Sequence, residues 1–172
     1  MIDPRLRIAL VAFICQHDSR NLRSEEINNI SDIELINFRI VPNKYEHPQL
    51  LHTAPLVSAL IRTHQYNLAA AVINHKCCFI NAVDADGHTP LEYALVERHK
   101  DLVIYLATKG AEIYKVYVPS FIKGGPKYIE NIPPHISIGA IIRGDQPWKV
   151  LENADVVLSG YLHKVLDYTS HL

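Results

Sequence analysis

The sequence predicts an all-α chain assembled from repeated helix pairs, and three observations carry that prediction. Residues 84–113 read as a tight turn followed by two short helices. Apolar residues in those helices recur at three- and four-residue spacing, as a buried helical face requires. Residues 53–81 repeat the arrangement: Pro55, Leu56 and Ala59 stand 35 residues before Pro90, Leu91 and Ala94, and residues 76–80 stand 33 before residues 109–113. The change of offset assigns two extra residues to the turn between the helices of the earlier copy, near residues 63–66.

Each element of the clearer copy has a local cause. Asp86-Gly87 supplies the turn, with glycine accepting positive φ. Thr89 caps the first helix through its hydroxyl, and Pro90 sits at the first helical position, where its missing N–H costs nothing. Leu91, Ala94 and Leu95 form the buried face of that helix, and the small Ala94 admits a close neighbour. Asp101 opens a second helix with Leu102, Val103, Leu106 and Ala107 on its apolar face, and Gly110 ends it as a left-handed cap.

The pattern D-x-x-G-x-T-P-L-x-x-A…L-V-x-x-L-x-x-K-G-A-x-I over residues 84–113 resembles an ankyrin repeat, a turn and two helices recurring about every 33 residues. Two residues depart from the family pattern. Glu92 stands where the family has His, which removes a common hydrogen-bonding group within the repeat. Arg98 stands where it has Gly between the helices, a substitution that strains the turn by roughly 1 kcal/mol. The resemblance implies an ankyrin-type helical solenoid that serves as a binding scaffold.

The flanks fit as worn repeats and caps. Asp3-Pro4 starts a helix to about Gln16, apolar nearly all round between Ile8 and Cys15 and therefore expected to be buried on more than one side. Ser24-Glu25-Glu26 starts another, with Ile27, Ile30, Ile33 and Ile36 spaced by three. Residues 1–41 are thus an N-terminal cap or degenerate repeat, followed by a polar linker to His52. Residues 67–75 form the second helix of the 53–81 repeat, where Cys77 replaces the stopping Gly and predicts a less clean end. Residues 114–133 break the pattern: an alternating Y-K-V-Y-V run and a Gly124-Gly125-Pro126 cluster predict a hairpin-like insertion. Residues 134–156 read as a third, degenerate copy, with Ser137 capping Ile138, Ile141 and Ile142, a turn at Gly144-Asp145, and a second helix from Pro147-Trp148. Residues 157–172 form a C-terminal capping helix, against which Trp148, the sole Trp, is expected to pack.

Composition bounds the function. The chain has 172 residues with 48% hydrophobic and 20% charged content, enough for one folded domain. A net charge of -1 argues against nucleic acid or a membrane surface as the partner. The short apolar run after Arg5 and Arg7 lacks the length of a membrane span and a small-x-small cleavage pattern, so no export signal is expected. Three Cys, two of them adjacent, suit reduced thiols. No phosphate-binding Gly loop, G-x-S-x-G or H-E-x-x-H occurs. Cys15, Cys77 and Cys78 lie in or beside apolar runs and are expected to pack as small hydrophobes, slow to label, rather than act as nucleophiles. His75 with Cys77-Cys78 lacks the C-x2-C spacing of a zinc site. No cofactor and no metal are expected.

The expected activity is therefore non-enzymatic binding of one protein partner by a monomer. The resemblance places the partner on the turn tips and exposed first-helix face, here Ala85, Asp86, His88, Val96 and Glu97. Although turn chemistry alone accounts for acids at the tip, the insertion interleaves Tyr114, Tyr117, Phe121 and Tyr128 with Lys115, Lys123 and Lys127, which reads either as an interface loop or as a solvated loop whose aromatics fold onto the solenoid. The lysine charges favour an acidic partner. The alternatives are a small enzyme or regulatory effector whose site is built by the insertion and C-terminal region, and a regulatory domain of a larger assembly. Short proteins of this kind with irregular ends resemble those that intracellular bacteria and large DNA viruses use in host cells, which implies a cytoplasmic setting, the host's in that case.

Overall fold

A computed structural model describes residues 1–43, 52–118, 127–129 and 132–168. These are mostly helical, with ten helices and two small two-stranded sheets among the described residues. The chain divides into two compact units, Met1–Asp86 and Gly87–Leu172.

In the first unit α1 (Pro4–His17) begins where expected, its cap Asp3 accepting from the N–H of Arg5. Leu10, Val11, Phe13 and Ile14 are buried, but Ile8 is 70% exposed. The helix therefore buries one broad face, against α2 (Ser24–Asn28) and α5 (Tyr66–Ile73), instead of most of its circumference. A break at Asn29–Ser31 separates α2 from α3 (Asp32–Ile36), which has its own Ser31 cap. That break ends the three-residue isoleucine periodicity: Ile27 and Ile36 are buried, while Ile33 is 54% exposed. Asp18, buried just past α1, receives Arg20 through both carboxylate oxygens and also the N–H of Val41. Burial pushes this carboxyl up, but these hydrogen bonds and the charge of Arg20 outweigh it and hold it below the usual range. Beyond it β1 (Arg39–Ile40) pairs antiparallel with β2 (Ala54–Pro55), which leads into α4 (Leu56–Arg62). Pro55 is thus the residue before the helix and not its first turn. Of the polar linker, residues 44–51 lie outside the described residues.

The second unit opens on α6 (Pro90–Val96), capped by Thr89, and continues through α7 (Lys100–Thr108). A hairpin of β3 (Val116–Val118) and β4 (Lys127–Ile129) follows, where alternation predicted a strand. The Gly124-Gly125-Pro126 cluster lies outside the described residues. Next come α8 (Ile138–Arg143), capped by Ser137, α9 (Trp148–Ala154) and α10 (Val156–Tyr168). Here α7 packs on α6 and α8, and α10 packs on α9 and β3. Trp148 stacks on His163 with ring centroids 4.1 Å apart, so it does bridge α9 and the last helix. Asp155 accepts from Leu158 and starts α10 directly after α9.

Three hinges share one backbone motif. At the end of α4 the N–H of His64 bonds Ile61 O and that of Gln65 bonds Leu60 O; after α6, Arg98 bonds Leu95 and His99 bonds Ala94; after α8, Gly144 bonds Ile141 and Asp145 bonds Ala140. This is the Schellman closure, one residue in the left-handed region between two reversed hydrogen bonds. The left-handed residues are His64 (φ 62), Arg98 (φ 54) and Gly144 (φ 93). Of the helices so joined, α4 packs on α5 and α6 on α7. The first two hinges lie 98 − 64 = 34 residues apart with identical bonding, so the turn near residues 63–66 contains no extra residues. The expectation of two failed because it matched Pro55 to Pro90, whereas structurally Leu56 opens α4 as Pro90 opens α6. The third hinge follows by 144 − 98 = 46 residues, the hairpin occupying the added length.

Candidate partner-binding surface

At the end of the first unit Ala85 and Asp86 form an exposed turn. Ala85 N–H bonds Thr53 O at 3.1 Å, and Asp86 N–H bonds the buried Asp84 carboxylate at 2.9 Å, the Asx turn that the Asp-rich sequence suggests. The Asp86 carboxylate is itself engaged by His52, Nε2 to Oδ2 2.6 Å. It meets a partner as half of an ion pair rather than as a free acid.

In the second unit the turn continues through Gly87 (φ +86) to His88. His88 is half-buried: its Nδ1 lies 2.6 Å from Oε2 of Glu92, and its ring meets Tyr93 edge-on. Glu92 is only 3% exposed. The departure at this position thus does not remove a hydrogen-bonding group from the unit; the carboxylate and His88 make that connection together. One turn further Val96 ends α6 at 43% exposure, an apolar side chain with a face left to water, and Glu97 caps the helix half-buried.

The hairpin contributes an exposed aromatic, Tyr117. In β3 Val116 and Val118 point inward and Tyr117 outward at 45% exposure, as strand alternation dictates. Its register places Tyr117 opposite Tyr128 and Val118 opposite Lys127. Phe121 and Lys123 lie outside the described residues. Lys115, just before β3, runs over the Gly87 turn, its Cε 3.2 Å from where a Cβ on that glycine would stand. The hairpin base and the turn at His88 are therefore neighbours. A Cβ on Gly87 would crowd the Lys115 side chain, which ties this lysine of the Tyr- and Lys-rich run to the turn.

Behind the hairpin base Glu112 gathers four contacts. Its carbonyl accepts from Thr89 Oγ1 (2.7 Å), and its carboxylate from Ile113 N–H (2.9 Å), Gly139 N–H (3.1 Å) and Ser137 Oγ. Two helix caps, Thr89 and Ser137, thus meet on one residue. A cleft of about 500 Å³ opens beside it, with Tyr114, Ile132, Pro133 and Ile136 in its walls.

The thiols differ from expectation. All three are reduced and half-buried rather than enclosed, and Cys77 Sγ lies 3.0 Å from His75 Nδ1. Burial pushes the Cys78 thiol up to about 11, with a smaller contribution from Cys77. Among the described residues no three His, Cys, Asp or Glu side chains converge as a metal-binding set, and no helix is long and apolar enough to cross a membrane. Compared with known protein families, curated proteins and solved structures, the chain matches none.

Proposed function

We propose that the chain is a non-enzymatic protein-interaction module of the ankyrin-repeat type. The observation that carries this reading is the recurrence of one hinge motif in α4–α5, α6–α7 and α8–α9, with its bonds conserved atom for atom while the residues change. Repeats of this kind spend the apolar faces of their helices on their own packing, leaving turns and insertions for recognition.

In the second unit the proposed binding residues are His88, Val96, Glu97, Tyr117, Phe121, Lys123, Lys127 and Tyr128; in the first unit they are Ala85 and Asp86. Lys115 joins this set through its place over Gly87. The basic residues give a nearly neutral chain a local positive field, which selects an acidic protein partner and makes association salt-sensitive. The module works as a monomer in a cytoplasmic setting, without cofactor or metal.

The test uses a partner obtained by affinity capture from lysate. Tyr117, Phe121 and Tyr128 are replaced together by Ala, the melting transition confirms the fold, and affinity is measured at two salt concentrations. A loss of at least about 2 kcal/mol is expected if these aromatics anchor the complex. Unchanged affinity in a folded variant transfers the site to the helix face at Val96 and Glu97.

A further inference from the structure

We propose that Cys77 is a covalent modification site: a thiol activated by His75 for exchange with a small-molecule disulfide, with the adduct seated in the cavity that both residues line. The inference rests on the first unit alone and is independent of the partner-binding reading.

The geometry fixes the direction of proton transfer. His75 Nδ1 faces both Cys77 Sγ, at 3.0 Å, and the Cys77 backbone N–H, at 3.5 Å. A backbone N–H can only donate, so this nitrogen is the acceptor and the thiol the second donor. Thiolate, not thiol, is the nucleophile, and a base at hydrogen-bond distance is what generates it. The segment is held in place by Asn37, whose Nδ2 donates to Cys77 O at 2.8 Å and whose Oδ1 accepts from Phe79 N–H at 2.7 Å. That double tie fixes the backbone on both sides of Cys78 and so decides which of the two adjacent thiols faces the cavity.

The cavity measures about 620 Å³, within the range of small-ligand sites, and Cys77 is in its wall while Cys78 is not. Leu6, Ile33 and Ala71 supply apolar surface. Charged side chains in the wall are those of Lys76 and Asp32, the latter tied to Arg7 of α1 at 2.9 Å, and Met1 with its terminal amine also borders it. Cys78 is held protonated at neutral pH by burial. Because it also lies outside the cavity wall, the disulfide reaches Cys77 first.

The step balances without a further oxidant. His75 Nδ1 takes the thiol proton, and Cys77 Sγ attacks one sulfur of the small disulfide. As the new S–S bond forms the old one breaks, its electron pair leaving on the departing sulfur, which takes the proton back from His75. Cys77 is oxidised to a mixed disulfide and half of the small molecule is reduced to a thiol.

The experiment treats the full chain with glutathione disulfide and follows intact mass, peptide mapping and the rate of adduct formation between about pH 6 and 9. One adduct on Cys77 is expected, unchanged in Cys78→Ser and absent in Cys77→Ser. In His75→Gln, with the fold checked by melting, the rate near neutrality should fall about tenfold. That deficit should shrink as the pH approaches the ordinary thiol range of about 8.5, where thiolate forms without a base. A merely structural role for His75 would slow the reaction equally at every pH. An adduct on Cys78 or Cys15, no adduct at all, or a His75→Gln rate and pH profile equal to wild type would overturn the proposal. The choice among the thiols is read in the unmutated protein, so it decides the matter even where His75→Gln melts early.

Discussion

The helix pairs α4–α5 and α6–α7 reverse direction through the same bonds yet stop in different ways. Both hinges place a non-glycine residue, His64 or Arg98, in the left-handed region. After the second helix they diverge. Gly110 (φ +92) closes α7 with a further Schellman motif, Gly110 N–H to Ala107 O and Ala111 N–H to Leu106 O, whereas α5 runs out through single turns, His75 to Val72 and Cys78 to His75. The contrast shows that the reversal is set by backbone hydrogen bonding, which tolerates an unfavourable residue at a cost near 1 kcal/mol. At the second helix the difference goes with the glycine: α7 stops at Gly110, whereas α5, with neither a glycine nor a left-handed residue at its end, leaves the helix slowly, placing His75, Cys77 and Cys78 where α7 has only a cap.

The largest expected effect lies on the glycine-stopped side. Ala111, just after the Gly110 stop, turns its carbonyl toward α8, and a Cβ on Gly139 would stand 2.1 Å from that oxygen. Gly139→Ala should destabilise the protein by about 3 kcal/mol, since neither backbone can yield. Gly160→Ala, in α10 with open space around it, should be neutral or stabilising by up to about 1 kcal/mol. Equal melting temperatures for the two variants would show that the close approach of α7 and α8 carries no energetic weight.

An intermediate effect belongs to the hinges. His64→Gly and Arg98→Gly should each gain about 0.5 kcal/mol by relieving the left-handed strain, net of the added freedom of the unfolded chain, and Gly144→Ala should lose about 1 kcal/mol. Denaturant titration measures all three. Losses at His64 and Arg98 would mean that their side chains, not the backbone motif, hold the reversal.

The smallest effect is a pH dependence confined to the glycine-free stop. Cys78 has its folded value raised to about 11. The unfolded chain therefore loses this proton first, so the stabilisation is complete below the unfolded value near 8.5 and is lost as pH rises through the folded one. Between about pH 9 and 11 the wild type should lose more thermal stability than Cys78→Ala. Parallel curves would remove Cys78 from the account.

Local signals were legible in the sequence, and pairings across distance were not. The caps Asp3, Thr89 and Ser137 start helices where expected because a cap needs only its own side chain and the next turn. The outward Tyr117 and the strained Arg98 follow from alternation and from the missing glycine. The joining of Arg39–Ile40 to Ala54–Pro55 left no trace, since two-residue strands have no period to detect. Exposure of Ile8 and Ile33 depends on which neighbours are available, not on their own hydrophobicity. At the candidate surface, His88–Glu92 has the four-residue spacing of a local contact, whereas the pair Asp86–His52 and the placing of Lys115 over Gly87 arise from folded proximity. The His75–Cys77 contact spans two residues, yet it depends on the loose exit from α5 that brings the side chains together.

The grip of Glu112 on Ser137 and Gly139 reaches across 25 and 27 residues of chain, with the β3–β4 ladder closing the same excursion part-way along. Loop-closure entropy grows only logarithmically, about 0.6 kcal/mol for each doubling of length. Once strand pairing and the carboxylate clamp fix the base, the number of residues beyond the ladder enters the closure cost only weakly. The hairpin is therefore a natural graft point, where a new recognition sequence can be installed and selected without re-engineering the helices beneath it.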